Sequence, residues 1–200
     1  MTEEPYVLVL YYSTGGATKS LAVEIARGID SVPGIHPKIR TVPDIHSAND
    51  STVPSTAKSA HPFCKKEELR LCSGLSMGSG TRFGNMAAQL KYFLDSTADI
   101  WSSNQLEGKP ASVFCSSSSM HGGQESTLLS MMIPLLHHGM VITGVPYSVG
   151  ELGVTKTGGS PYGPSHVTGE GKNFVKLSQD EVVIARKAGE RIARLALNLS

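Results

Sequence analysis

The sequence predicts an α/β fold, a doubly wound parallel sheet with helices on both faces. Three observations carry that expectation. Short apolar runs alternate with amphipathic stretches at helical spacing, three of the apolar runs end in polar loops that contain glycine, and a capped amphipathic segment closes the chain. Strands that alternate with helices pair in parallel through right-handed crossovers.

Val7-Leu8-Val9-Leu10-Tyr11-Tyr12 reads as a strand over 6–12, and Leu21, Ala22, Ile25, Ala26 and Ile29 then recur at helical spacing in a helix over 16–30. Strands are expected over 35–42 and 71–77, followed by a helix over 85–98. An apolar strand over 111–116 leads to a helix over 123–137, in which Leu128, Leu129, Met132, Leu135 and Leu136 supply the apolar face. A strand over 140–146 comes next. The last helix, 179–198, opens on a capping box of Ser178 and Glu181. Its stripe of Val182, Ala185, Ala188, Ile192, Leu195 and Leu199 is expected to face the core. Two stretches have no periodicity: Pro43 to Glu68, which contains His46 and His61, and the glycine-rich Gly150 to Gly171. Long loops in compact domains are usually functional or mobile. The second is expected at a subunit contact or over a binding crevice; the first carries no assignment.

Two hundred residues suit one α/β domain able to bury a core without staples. Eighteen Lys and Arg stand against seventeen Asp and Glu with no basic block, so neither nucleic acid nor an anionic membrane is an evident partner. Cys64, Cys72 and Cys115 form no CxxC pair, which argues against structural zinc and suits free thiols in a reducing compartment. The first apolar run is short, follows acidic residues and lacks a cleavage-site pattern. A cytoplasmic location is the expectation.

The loops carry the chemistry. In Met77-Gly78-Ser79-Gly80-Thr81-Arg82-Phe83-Gly84-Asn85-Met86, the segment Gly78 to Asn85 reads as a strand-to-helix loop. Glycines let backbone groups approach a flat polar ring, Arg82 offers a forked donor, and Phe83 can cover one wall; a flavin would fit. A second loop, Ser13-Thr14-Gly15-Gly16-Ala17-Thr18, puts hydroxyls and free amides at a helix start, which is a phosphate cradle. Lys19-Ser20 would suit a Walker A motif, but Thr18 stands where that motif needs glycine. No G-x-G-x-x-G occurs there, which favours a mononucleotide over NAD as the tightly held ligand. The third loop, Ser116-Ser117-Ser118-Ser119-Met120-His121-Gly122-Gly123, can line a ring edge or a ribityl chain. Polar loops at successive strand C-termini are the pattern of one shared crevice. His137-His138 at a helix end suits C-terminal capping better than metal, since no carboxylate lies at ligand spacing. No G-x-S-x-G elbow marks a serine nucleophile.

The set YYS..GAT, GSGTRFGNM, FLD.T..IW, GGQEST, LLHHGM and GGSPYG resembles the WrbA family of flavodoxin-like NAD(P)H:quinone oxidoreductases across almost the whole chain. The resemblance implies a five-stranded sheet in the order 2-1-3-4-5, one FMN-binding domain over residues 1–200, and a homotetramer. It implies FMN as cofactor, NADH or NADPH as co-substrate, and two-electron reduction of quinones by a ping-pong hydride mechanism. Carried over residue by residue, the phosphate loop falls on Ser13 to Thr18 and the isoalloxazine loop on Thr81, Arg82, Phe83, Gly84 and Asn85. The second ring-edge loop falls on Ser116 to Gly122. His137 matches a histidine near the flavin and is the catalytic candidate; Trp101 matches an aromatic beside the nicotinamide or quinone. Gly80 replaces the proline usual before TRFGNM, and Gly15 stands where some members carry an aromatic. A flavodoxin-type electron carrier and a non-catalytic partner protein of the same fold are the alternative readings.

Overall fold

The computed structural model describes residues 4–45, 60–169 and 175–199. His46 and most of the unassigned 43–68 stretch lie outside the described residues. The strands β1 (Tyr6–Tyr12), β2 (His36–Thr41), β3 (Gly74–Gly80), β4 (Pro110–Ser117) and β5 (Val141–Ile142) pair in parallel in the order β2-β1-β3-β4-β5, the expected doubly wound α/β order. Alternation in β1 sends Leu8 and Leu10 to one core and Val7, Val9 and Tyr11 to the other. The helices α1 (Ala17–Asp30) and α6 (Gln179–Asn198) cover the second core. The first is covered by α2 (Lys66–Leu71), α3 (Ala88–Asp95), α4 (Ala98–Ser102) and α5 (Gln124–His137). No helix among the described residues is long and apolar enough to cross a membrane.

Five strands become six. A short strand, β6 (Ser165–Val167), runs parallel to β4 along Cys115, Ser116 and Ser117, whereas β5 pairs only with Pro110 and Ala111. The other edge of β4 is taken by β3, so β5 and β6 share one edge as two halves of a divided strand. The expected strand over 140–146 is therefore two residues long, and residues 143–164 are inserted before its second half.

The third strand lies at Gly74–Gly80 rather than 71–77, because Leu71 ends α2, a short helix the sequence did not signal. The glycines fit the centre of the sheet: a β-carbon on Gly78 would lie 2.1 Å from the Phe114 ring, whose side chain fills that space. The expected helix over 85–98 becomes α3 and α4, since the Ala87 amide donates to Ser79 Oγ (2.9 Å) and the Met86 amide to Asn85 Oδ1 (2.8 Å). In α6 the buried face runs through Ile184, Ala185, Ala188, Ile192, Ala193 and Ala196, while Leu199 is exposed, so the stripe sits partly off the expected one. Glycine sets how closely α6 meets α1. A β-carbon on Gly28 would lie 2.0 Å from the Arg186 carbonyl oxygen, and one on Gly189 would lie 2.1 Å from that of Ile25.

Candidate functional site

Parallel pairing places the C-terminal ends of β1, β3 and β4 at one edge, and the loops that leave them meet. Gly16, with φ 92°, starts α1; its amide donates to Ser13 Oγ at 3.0 Å, and no side chain caps the helix. The first-turn amides are thus left for an external acceptor, and the helix dipole favours an anion there. Thr18, buried, places its hydroxyl 2.9 Å from that of Ser116, which joins the first loop to the third. Gly15 has nothing within 4 Å of its missing β-carbon, so the space an aromatic would occupy there is open.

Because Gly78 and Gly80 belong to β3, the second loop begins at Thr81. Arg82 and Asn85 exchange backbone hydrogen bonds of 2.8 and 3.0 Å, closing a tight turn whose central residues, Phe83 (φ 51°) and Gly84 (φ 76°), are both left-handed. Glycine suits that conformation; an aromatic is strained in it. Phe83 is also fully exposed, at 108% of its reference area. A strained backbone that holds a bare aromatic ring in solvent is organised for a flat partner. Arg82 Nη2 donates to Thr14 Oγ1 at 3.1 Å and Nη1 to its neighbour Thr81's carbonyl at 3.0 Å, so the guanidinium bridges the first two loops. Thr81 and Thr127 hydroxyls, 2.7 Å apart, fasten the turn to α5.

The third loop has a buried base and an exposed crest. Ser116 and Ser117 are buried, and Ser117 Oγ donates to the Ser119 carbonyl at 2.7 Å. Ser118, Ser119, Met120 and His121 are exposed, and Gly122 donates its amide to Ser119 O at 3.1 Å. Gln124 Nε2 holds the Met120 carbonyl at 2.8 Å. Gly123, with φ 91°, starts α5 without a side-chain cap, and a β-carbon on it would lie 3.2 Å from Gly84 Cα, so this helix N-terminus adjoins the second loop. At the junction, a β-carbon on Gly80 would have Ser116 Oγ, Arg82 Nη1 and Thr18 Oγ1 within 3.7–3.8 Å, one atom from each loop.

Burial and the Asp44 carboxylate, which accepts the Tyr12 hydroxyl at 2.7 Å, push that hydroxyl above its ordinary range. Burial likewise pushes the Cys64 thiol up to about 12 and the Cys72 thiol up to about 11, so neither is a ready nucleophile. Among the described residues no group of three or more His, Cys, Asp or Glu is placed to hold a metal ion.

Two of the residues picked from sequence lie elsewhere. His137 ends α5, about 20 Å of helix from the start of α5 at the third loop, at 1.5 Å per residue. It lines a groove with Trp101 of α4, Ile133 and His138, and that groove reaches the second loop at Asn85. His138, whose ring burial lowers its pKa, shares a hydrogen bond with the Thr97 hydroxyl at 3.1 Å.

Sequence reasoning missed Ser79, Thr127, Tyr12 and the buried pair of His166 and Glu181 as supports of these loops. Ser79, Tyr12 and Thr127 fall inside the motifs but without a role, Glu181 carried a signal as a helix cap, and His166 carried none.

Uncapped helix starts for an anion, a forked cation, an exposed ring wall and a hydroxyl-lined edge form a cradle for a planar ring with a terminal phosphate. Residues 5–152 match the family model described as NADPH-dependent FMN reductase. A protein of Solidesulfovibrio magneticus named NAD(P)H dehydrogenase (quinone) is 41% identical over 200 residues, covering 96% of this chain and 98% of its own. One of the same name from Syntrophobacter fumaroxidans is 42% identical, with 97% and 98% covered. The flavodoxin, WrbA-like protein of Agrobacterium tumefaciens superposes with a TM-score of 0.69 at 19% identity, covering 98% of this chain and 99% of that one. Flavodoxin 1 of Bacillus cereus gives 0.60 at 16% identity, covering 94% and 97%.

Proposed function

This chain belongs to the NADPH-dependent FMN reductase family, and from that premise we propose that it is an FMN-dependent NAD(P)H:quinone oxidoreductase. Near-full-length relatives at about 40% identity bear the name NAD(P)H dehydrogenase (quinone), in line with the WrbA resemblance of the sequence. The observation that carries the reading to this site is Phe83, held strained and fully exposed above a cradle built from three loops.

The donor set fits FMN. Ser13 to Thr18, with the open amides of α1, would hold the phosphate; Thr81, Arg82, Phe83, Gly84 and Asn85 would hold the ring, and Ser116 to Gly122 its second edge and the ribityl chain. Bound FMN supplies the hydride chemistry itself. The protein positions, orients and excludes water. Arg82, already fixed by Thr14 and by the Thr81 carbonyl, acts as a positional cation. Phe83 walls the ring so that one place serves first a nicotinamide and then a quinone, and binding by turns gives ping-pong kinetics.

The chain is read as one FMN-binding domain that assembles as a cytoplasmic homotetramer. Trp101 is 54% exposed, and Leu129, Ile133 and Leu136 on α5 are exposed as well. That apolar surface, with Trp101 and His137 on one groove, supports a contact in which both residues reach a neighbour's crevice. There Trp101 would wall the substrate, and His137 would serve the catalytic role implied by the resemblance.

Titration of the apoprotein with FMN and FAD tests the site. The cradle encloses a terminal phosphate, so FMN is expected to bind more tightly and to give a flavin absorption spectrum; tighter FAD binding contradicts the mononucleotide reading.

A further inference from the structure

The crest of the third loop stands on a buried polar pair that the proposed reaction does not use. His166 and Glu181 are each 1% exposed, and His166 Nδ1 lies 2.9 Å from Glu181 Oε2. The other ring nitrogen, Nε2, lies 2.9 Å from the Val175 carbonyl oxygen. A carbonyl can only accept, so Nε2 carries a proton. Glu181 is held ionised: burial pushes its carboxyl up, but the His166 hydrogen bond and the backbone amides of Ser178 and Gly158 together outweigh burial and set it below the usual range. Both ring nitrogens therefore face acceptors, and the ring bridges the Glu181 carboxylate and the Val175 carbonyl.

The position of this pair in the fold gives it a role. Glu181 Oε2 also accepts the Ser178 amide at 2.7 Å, and Oε1 accepts the amides of Gly158 (2.8 Å) and Val167 (3.4 Å). One carboxylate thus gathers the start of α6, the inserted segment and β6. His166 sits in β6 opposite Ser116, and Val167 opposite Ser117. The next amide, of Thr168, donates to the Ser117 carbonyl at 2.8 Å. These are the last contacts of β4 before the exposed crest begins, and β6 is only three residues long. Such a short edge strand gains little from its own ladder. The His166–Glu181 contact ties it to the start of α6 as well.

We propose that His166 is a positioning residue for the 116–122 loop, its ring bridging the Glu181 carboxylate and the Val175 carbonyl and so clamping β6 to the start of α6, which keeps the loop in the form that receives the flavin. The proposal rests on the FMN reading of the site. Removing His166 leaves the buried Glu181 carboxylate short of one hydrogen-bond partner, so the damage is local and sizeable.

The test compares FMN binding to apoprotein of the wild type, His166→Leu and His166→Gln by flavin fluorescence, with amide hydrogen exchange on each. The wild type is the first arm: if it binds no FMN, the reading of the site fails and this proposal with it. If it binds, His166→Leu is expected to weaken FMN about tenfold or more. Exchange should rise in residues 117–122 and at Thr168 while β1 and β3 stay protected. His166→Gln, which keeps a hydrogen-bond donor, should recover part of the affinity. Wild-type affinity in the leucine variant overturns the proposal, as does a loss of protection spread evenly over the sheet.

Discussion

The hydroxyls of Thr18 and Ser116 lie 2.9 Å apart, one at the start of α1 and the other at the end of β4, and both residues are buried. Ninety-eight positions separate them in the chain, yet this contact closes the floor of the crevice between the phosphate loop and the ring-edge loop. Replacing either alone, as Thr18→Val or Ser116→Ala, leaves a buried hydroxyl without its partner and should cost about 1–2 kcal/mol. The double variant should lose less than the sum. Urea unfolding of the four apoproteins measures the coupling, and strict additivity would show that the contact contributes nothing of its own.

Gly80 marks the point where the three loops meet. Its φ is not among the positive ones, and a β-carbon there would find its nearest neighbours at 3.7–3.8 Å, which is ordinary contact. Where the backbone at this end of β3 takes a proline φ and the change costs no ladder hydrogen bond, Gly80→Pro should raise FMN affinity by up to about tenfold by restricting the free chain. Unchanged or weaker affinity would mean that the end of β3 is built around glycine.

Trp101 and His137 share a groove, and His137 ends α5; under the proposed assembly that groove takes part in turnover across a subunit contact. Trp101→Ala should raise the KM for quinone or NADH several-fold and weaken the assembly, while leaving the bound-flavin spectrum nearly unchanged. Dilution to monomers should cost turnover before it costs flavin. Full specific activity in a monomeric preparation would rule this out.

The Glu181 carboxyl has its pKa lowered in the fold from an ordinary 4.5. A carboxylate depressed on folding contributes stability that is present above its unfolded value and lost as pH falls through the folded one. Below about pH 4.5 the protein should therefore lose stability progressively through this group, and Glu181→Gln should flatten that part of the profile while lowering stability at pH 7. Thermal unfolding between pH 3 and 7 measures both effects. A wild-type slope retained in full by the variant would assign the acid sensitivity to other carboxylates.

Much of the fold was legible because alternation and helical spacing are local signals. Val7 to Tyr12 and the helix after it, the strand at 110–117 and the capping box of Ser178 all lie where the pattern places them. The errors have physical causes. The apolar run from Leu71 to Met77 spans the end of one element and the start of another, since Leu71 belongs to a short helix and the true strand continues through Gly78, which Phe114 covers, to Gly80. Neither fact is visible without the neighbouring strand. β6 is three residues long between Pro164 and Gly169, too short for any periodicity, and it pairs with β4 only after the insertion has folded back.

The three loops were legible as a site because each follows a strand in a parallel sheet, and parallel topology sends such loops to one edge. The groove that His137 and Trp101 share had no local signal, since their places were implied by resemblance alone. His166 had no signal at all. Its meaning comes from Glu181, fifteen positions later, whose side chain the sequence had already assigned to a helix cap.

The most direct test of the central claim is steady-state oxidation of NADH and NADPH by the FMN-loaded protein, with and without benzoquinone. The account predicts turnover that depends on quinone, with parallel double-reciprocal lines as the second substrate is varied, and loss of that turnover when FMN is removed. A flavin-loaded protein that oxidises neither nucleotide unless a separate reductase is added would contradict it and place the chain among electron carriers.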